Sequence, residues 1–481
     1  MPDRTPAPPA AWPLVALFTS GYVAPYLLPT IVGRLDAHLP LSPAQAGLIG
    51  SVLLLGSAAA GFTLASRIPR LGPRPPARLG LLLAVLGYGT AAATAQLPLV
   101  IAGAVLGGFG SGTATAVAAS GIAAQRDPHR TSALGLLSVS ATAGALYLIL
   151  PRLGGGHGLP FAAIALVALV CWPATGRLPG ADRTETADAT ALASPTDPTD
   201  RTDRTDRTDP AVRASGPLPY PRAGVVLAGA LMLWSLAQNA LWGVSGRIGA
   251  QQAGLSEVTL GIVFAAALGA GLLGVTGASL LGSRLGRAVP VGVGTVVIAC
   301  CVVLASQARD LGAFAAGEIL WNAVYPVVLS YAIGLAAALD PRGRWAVLVG
   351  SASSLGVACG PVTGSLLAEA AGFPGMGLVL GLLLLAVAGP MAGVALHVGG
   401  RPLTPGSVRR RGGAPAAVLA AGAGTPAGSV PRVGAQELEV VELPQLRPRP
   451  LRLPPLRVLL PSPAATRRGR ERPRRRIRTG V

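Results

Sequence analysis

Apolar runs close to twenty residues long recur along this chain, and a run of that length can cross a hydrocarbon layer about 30 Å thick as one helix. The first six occupy Ala11–Val32, Ala44–Ala65, Leu79–Leu97, Pro98–Ala124, Ser132–Leu150 and Leu159–Thr175. After a polar gap come Ala223–Val244, Val258–Gly282, Val289–Ser306, Leu311–Ala338, Trp345–Ala368 and Gly375–Leu396. Composition agrees: 12% of the 481 residues are charged, where a soluble domain carries about 25%, and the mean hydropathy is +0.56. The expected fold is an all-α integral membrane protein with twelve transmembrane helices, a first span that is retained rather than cleaved, and no soluble catalytic core.

Orientation follows from the arginines, because positive charge in short loops stays on the cytoplasmic side. One set of loops holds Arg67, Arg70, Arg74 and Arg78, then Arg126 and Arg130, Arg284 and Arg287, and Arg342 and Arg344. The opposite loops hold little beyond Arg34, Arg152, Arg247 and Arg309. With the first set inside, both termini are cytoplasmic and the protein is expected in the plasma membrane. The boundaries read as a cytoplasmic N-terminus over 1–11, a six-helix bundle over 12–175, a linker over 176–222, a second bundle over 223–396 and a tail over 397–481. The linker contains "TDPTDRTDRTDRTDP", too polar to bury surface that would offset its ordering entropy, so it is expected to be a disordered tether. The tail ends "RRGRERPRRRIRTGV" and supplies most of the net charge of +19. It is expected to be disordered and drawn to anionic lipids; it has no interleaved aromatics and no folded module that would specify nucleic acid.

Two charged turns interrupt the apolar pattern alike: "RDPHRTSAL" from Arg126, after the fourth run, and "LDPRGRWAVL" from Leu339, after the tenth. "GRLDAHLPLSPAQAGLIG" from Gly33 and "GRIGAQQAGLSEVTLGIV" from Gly246 follow the first and seventh runs, 213 residues apart. "RLGPR" from Arg70 and "RLGRA" from Arg284 follow the second and eighth. Loop matches at one nearly constant offset indicate that the second set of six repeats the first, and parallel repeats place a solute site between two halves.

This layout resembles the major facilitator superfamily, specifically a twelve-helix, efflux-like bacterial member, over about residues 12–397. The resemblance rests on the six-plus-six runs, the long central loop and the two RLG turns, which are similar to the family's cytoplasmic signature. It implies two pseudosymmetric six-helix bundles, a monomeric carrier working by alternating access, and a central cavity lined by the first, fourth, seventh and tenth helices. It also implies a gating role for the turn residues Arg70, Gly72, Arg74, Arg284, Gly286 and Arg287. The acidic position of the signature is absent from both copies. A glycine-proline motif similar to that of family antiporters occurs as "GVACGPVTG" from Gly356, in the eleventh run rather than the fifth.

No HExxH, P-loop or CxxC occurs, and the histidines are scattered, so enzymatic activity, cofactors and metals are not expected. Cys171, Cys300, Cys301 and Cys359 lie inside apolar runs, as small buried hydrophobes do. Polar groups within a span are costly and therefore informative. Glu318 is the one carboxylate well inside a run, with Trp321, Asn322 and Tyr325 at i+3, i+4 and i+7 on the same helical face. It is the candidate proton-coupling group, and that face the candidate solute wall. The first run offers Tyr22 and Tyr26 after Phe18 at helical spacing; the seventh offers Gln238 and Trp242 after Trp234, with Asn239 the repeat partner of Tyr26. These aromatic and amide side chains suit a cavity for amphipathic organic molecules. The expected function is secondary transport of a small organic solute, with proton-coupled efflux by antiport favoured. An uptake permease or facilitator is the alternative within transport, and a membrane scaffold or sensor using the basic tail the alternative outside it.

Overall fold

A computed structural model describes residues 11–64, 67–125, 127–178, 218–281, 285–340 and 343–399. The TDR repeat, nearly all of the basic tail, Arg126, Arg284 and Arg342 lie outside the described residues.

Helix α1 runs Trp12–Tyr26 and resumes as Leu28–His38 after a 45° bend. Its prolines explain the bend: Pro29 has no N–H for the carbonyl of Pro25, so one rung of the helix ladder is missing. The following spans are α2 (Pro43–Leu64), α3 (Arg74–Ala93), α4 (Leu97–Ala123), α5 (Pro128–Leu153) and α6 (Gly158–Cys171). The second series comprises α7 (Pro221–Arg247), α8 (Glu257–Leu281), α9 (Ala288–Gln307) and α10 (Leu311–Leu339). The last stretch, Arg344–Gly399, breaks at Gly372, where φ is 68° and ψ 170°. A left-handed glycine there separates α11 (344–371) from α12 (373–399), which completes twelve spans.

The charged turns are helix starts. Asp127 accepts a bond from the Arg130 amide at 3.0 Å and is followed by Pro128 at the first helical position of α5, a pairing that satisfies one orphan donor and presets φ. Asp340, which closes α10, pairs with Arg344 at 2.8 Å in the first turn of α11. Both RLG turns use their glycine in the left-handed region, Gly72 at φ 72° and Gly286 at φ 65°. Around them Arg70 is exposed, Arg74 Nε donates to the Leu178 carbonyl of its own half, and Arg287 precedes α9.

Within the first half, α4 packs against α1, α2 and α3, and α1 against α5; within the second, α7 packs against the α11–α12 stretch and α10 against α8 and α9. The glycine stripe read as a motif in "GVACGPVTG" is a packing surface: a Cβ at Gly356 would lie 2.0 Å from the Met232 carbonyl oxygen, and one at Gly364 2.2 Å from that of Ala240. The halves meet through α1 with α7, α2 with α11 and α5 with α8.

One boundary expectation is corrected here. Arg34 and Arg247 were expected in loops; they lie inside extended ends of α1 and α7, and are buried. An apolar run ends at the last greasy residue, but a helix continues wherever a polar side chain finds partners, and both arginines do.

Candidate functional site

Between the halves lies a cavity of about 100 Å³. Five helices supply its lining: Pro25 and Tyr26 of α1, Leu136 and Ser140 of α5, Asn239 and Trp242 of α7, Leu268, Gly271 and Leu272 of α8, and Trp321, Asn322, Tyr325 and Pro326 of α10. The proline bend of α1 positions its share. Trp242 Nε1 donates to the Pro25 carbonyl at 3.1 Å from the opposite half, and Tyr147 Oη donates to the Tyr26 carbonyl at 2.5 Å. Away from water each carbonyl needs a partner, so the bend is held by α7 and α5 together.

The aromatic side chains form a continuous wall. Trp242 and Trp321 have ring centroids 5.6 Å apart, and Trp234 stacks behind Tyr325 at 5.2 Å and 12°. Gln238 is fully buried behind this wall; its Oε1 accepts from Trp321 Nε1 at 2.8 Å and its Nε2 donates to the Trp234 carbonyl at 3.2 Å. It orients the Trp321 ring, which corrects its assignment as a lining residue. Asn239 and Asn322 each donate Nδ2 to the preceding turn, at 2.9 Å to Ser235 and Glu318 carbonyls. Their side chains face the cavity alongside the Ser140 hydroxyl, and no charged side chain is in the lining.

Tyr22 is also placed differently from expectation. It is buried against Phe18, with ring centroids 4.5 Å apart, one turn from Tyr26 and outside the lining. The expectation that α4 lines the cavity gives way to α5 and α8. Helix α4 is glycine-rich and lies so close to α1 that a Cβ on Gly21 would sit 3.0 Å from the Ser111 carbonyl oxygen, which leaves no room for a solute between them. The run Ser138, Ser140 and Thr142 inside an apolar span was the available signal for α5.

Glu318 does not open into the cavity. It is fully buried, its Oε1 accepts from Ser245 Oγ of α7 at 2.5 Å, and its Oε2 has no hydrogen-bond partner among the described residues. The azimuth read from the spacing is right, since seven residues return nearly to the same face, but the same seven residues are about 10 Å of axial rise. Depth therefore separates Glu318 from Tyr325. The carboxylate sits nearer the end of the bundle that carries Arg34 and Arg247.

A model described as the Major Facilitator Superfamily matches residues 14–341. No curated protein matches the chain. Among solved structures, a bacterial homolog of the human lysosomal transporter Spinster, in an inward-facing and unoccupied conformation, has a TM-score of 0.55 at 16% identity, covering 81% of this chain and 94% of that one. The human organic anion transporter MFSD10 (TETRAN) has a TM-score of 0.51 at 19% identity, covering 79% and 97%. Identities this low establish the shared fold, whereas the family match extends over more than half of the chain. With the twelve apolar spans and the cavity between repeated halves, it makes this protein a multi-pass transmembrane transporter that belongs to the major facilitator superfamily.

Proposed function

We propose that the transporter exports an uncharged, amphipathic organic solute with a flat ring across the plasma membrane in exchange for protons. The observation that carries this reading is the cavity wall: Trp242, Trp321 and Tyr325 beside Asn239, Asn322 and Ser140, without a charged group. A fully charged solute entering there would lose hydration with no counter-charge to replace it. A ring finds stacking partners, and a hydroxyl or amide on its edge finds hydrogen bonds.

In this reading Glu318 binds the proton and Tyr26, Asn239, Trp242, Trp321, Asn322 and Tyr325 bind the solute. Support for the first role is a buried carboxylate with one oxygen on Ser245, the other unpartnered among the described residues, and no arginine paired with it. The titratable groups within electrostatic reach are Tyr147 of α5 and Cys301 of α9, neither of which supplies a permanent positive charge. The Arg34 end faces outside, both termini and the RLG turns face the cytoplasm, and the turns, through Arg70, Gly72, Arg74, Arg284, Gly286 and Arg287, gate the cytoplasmic mouth. The basic tail rests on anionic lipid.

Glu318→Gln in proteoliposomes tests the coupling. The variant is expected to keep downhill solute exchange and lose pH-driven uphill transport. Uphill transport with unchanged pH dependence would overturn the role of Glu318, and absence of flux for every uncharged aromatic solute in the wild type would overturn the substrate class.

A further inference from the structure

Beyond the cavity, towards the Arg34 end, the halves are drawn together by side chains that the transport reading does not use. Arg34 of α1 and Arg247 of α7 occupy equivalent places in the repeat, 213 residues apart and each directly after a glycine. The glycines set the helix crossing: a Cβ on Gly246 would lie 2.6 Å from the Pro29 carbonyl oxygen, and one on Gly33 4.0 Å from the backbone of Gly246. Nothing larger fits on Gly246, so the two helix ends approach backbone to backbone and bring both guanidinium groups to the boundary.

Each guanidinium is then divided between the halves. Arg34 is anchored in its own half by carbonyls at the end of α5: Nη1 donates to Gly154 at 3.0 Å and Gly155 at 3.2 Å, and Nη2 to Leu150 at 3.2 Å. Gly154 and Gly155 have φ of 66° and 84°, a backbone only glycine adopts readily, and it turns their carbonyls to the guanidinium. The same Nη2 crosses the boundary to Glu257 Oε2 at 2.7 Å, at the start of α8. Arg247 repeats the plan in the other direction. Its Nη2 donates to Ser365 Oγ of α11 at 3.0 Å and its charge lies 6.0 Å from the Phe373 ring, while Nη1 is 3.6 Å from Asp36 Oδ1 of the first half. Gln251 Nε2 donates to the other oxygen of Asp36 at 3.0 Å.

We propose that Arg34 and Arg247 are a pseudosymmetric pair of latches that holds this mouth of the cavity shut, and that Glu257 and Asp36 are the strikes they release when it opens. The inference rests on the alternating-access reading of the fold. Its logic is in the division of contacts. The anchors are neutral and lie within a half, so they persist when the halves separate. The ion-paired carboxylates Glu257 and Asp36 lie across the boundary, so they are lost, while Glu369 of α11 stays near Arg247 within its own half. The arginines themselves are 4% and 3% exposed, which keeps each charge out of solvent while the mouth is closed and makes its cross-boundary partner matter. Both Nε groups have no partner among the described residues, so neither arginine is saturated as a permanent brace would be. Glu257 is 50% exposed, and its pair is discounted accordingly.

The test reads conformation rather than transport. Full-length protein with Cys171, Cys300, Cys301 and Cys359 replaced by serine carries spin labels at Gln45→Cys and Ala370→Cys, two exposed sites on α2 and α11 at this mouth, where the Ala44 amide already bonds Glu369. Glu257→Gln keeps the acceptor and removes the charge. It is expected to raise the ratio of long to short distances about fivefold, the equivalent of about 1 kcal/mol between a charge-assisted and a neutral hydrogen bond. Asp36→Asn, whose pair is longer, is expected to raise it about twofold to threefold, and the double variant by about the product. If both single variants give the parent distribution in a monodisperse protein, the arginines are structural braces and the proposal falls. If the distances shift while no uncharged aromatic solute is carried by the parent, the latch stands and the substrate reading alone fails.

Discussion

The same chemical change, glycine to alanine, is expected to have opposite effects at two positions on the α7–α11 pair. At Gly356 an added Cβ would lie 2.0 Å from the Met232 carbonyl oxygen and 2.9 Å from its carbon. A close but tolerable C···O contact is about 3.3 Å, so the helices must part by roughly 1.3 Å at that level. A radial gap of even 0.5–1 Å forfeits about a quarter to a half of each dispersion contact it opens. The parting spreads to Gly360 and Gly364, which sit 2.5 Å from Asn239 Cβ and 2.2 Å from the Ala240 carbonyl by the same measure. Overpacking of this kind costs about 1–3 kcal/mol. At Gly229 of α7, by contrast, nothing lies within 4 Å of the added carbon and the position is exposed. There alanine gains only its helix preference, about 0.5–1 kcal/mol. Thermal unfolding of the purified protein in one detergent should therefore place Gly356→Ala below the parent and Gly229→Ala above it. A shift of roughly 2–4 °C per kcal/mol for chains of about 200 residues makes the difference measurable. A Gly356→Ala melting temperature at or above the parent would refute the claim that this stripe is a contact surface.

Asp127→Ala removes the side chain that accepts from the Arg130 amide and is expected to destabilise the start of α5 by about 1 kcal/mol, read as faster proteolysis at that turn with little change in flux. Gln238→Leu takes the acceptor from Trp321 Nε1 without adding a group to the cavity. Freed to turn, the ring should bind solute about fivefold more weakly, the equivalent of about 1 kcal/mol, measured as a raised KM against an unchanged pH profile.

The span pattern was legible because membrane insertion is governed by length and polarity, both of which the chain displays residue by residue. The repeat was legible too, since "GRLDAH" and "GRIGAQ" stand at the same offset as the two RLG turns. What escaped was depth and partnership. Glu318, Trp321, Asn322 and Tyr325 were read as one wall from azimuth alone, and the carboxylate lies one turn beyond the lining residues Trp321 and Asn322. Gln238 and Tyr22 have the spacing of lining residues, yet which polar side chain faces a cavity and which props a ring behind it depends on neighbouring helices that a single helix cannot reveal. Arg34 and Arg247 looked like loop charges because their acceptors, the carbonyls of Leu150, Gly154 and Gly155 and the hydroxyl of Ser365, lie more than a hundred residues away.

The proline bend in α1 connects these separate systems. Pro29 offers the Pro25 carbonyl no i+4 amide, and besides a backbone N–H at the bend that carbonyl accepts from Trp242, of the other half and on the cavity wall. Four residues further along α7, Gly246 sits against the Pro29 carbonyl, and Arg247 begins the latch. One side of α7 therefore presents a cavity residue, a contact with the bend and a boundary arginine in succession. Separating the halves at that mouth removes the indole from the Pro25 carbonyl, which keeps only its backbone donor at the bend. A ring that stacks on Trp242 and shifts it from the carbonyl thus acts on the closed state at its inner edge, while the ion pairs act at its outer edge. The proposed solute site and the mouth share a helix, and the bond from Trp242 to the bend in α1 ties the two together.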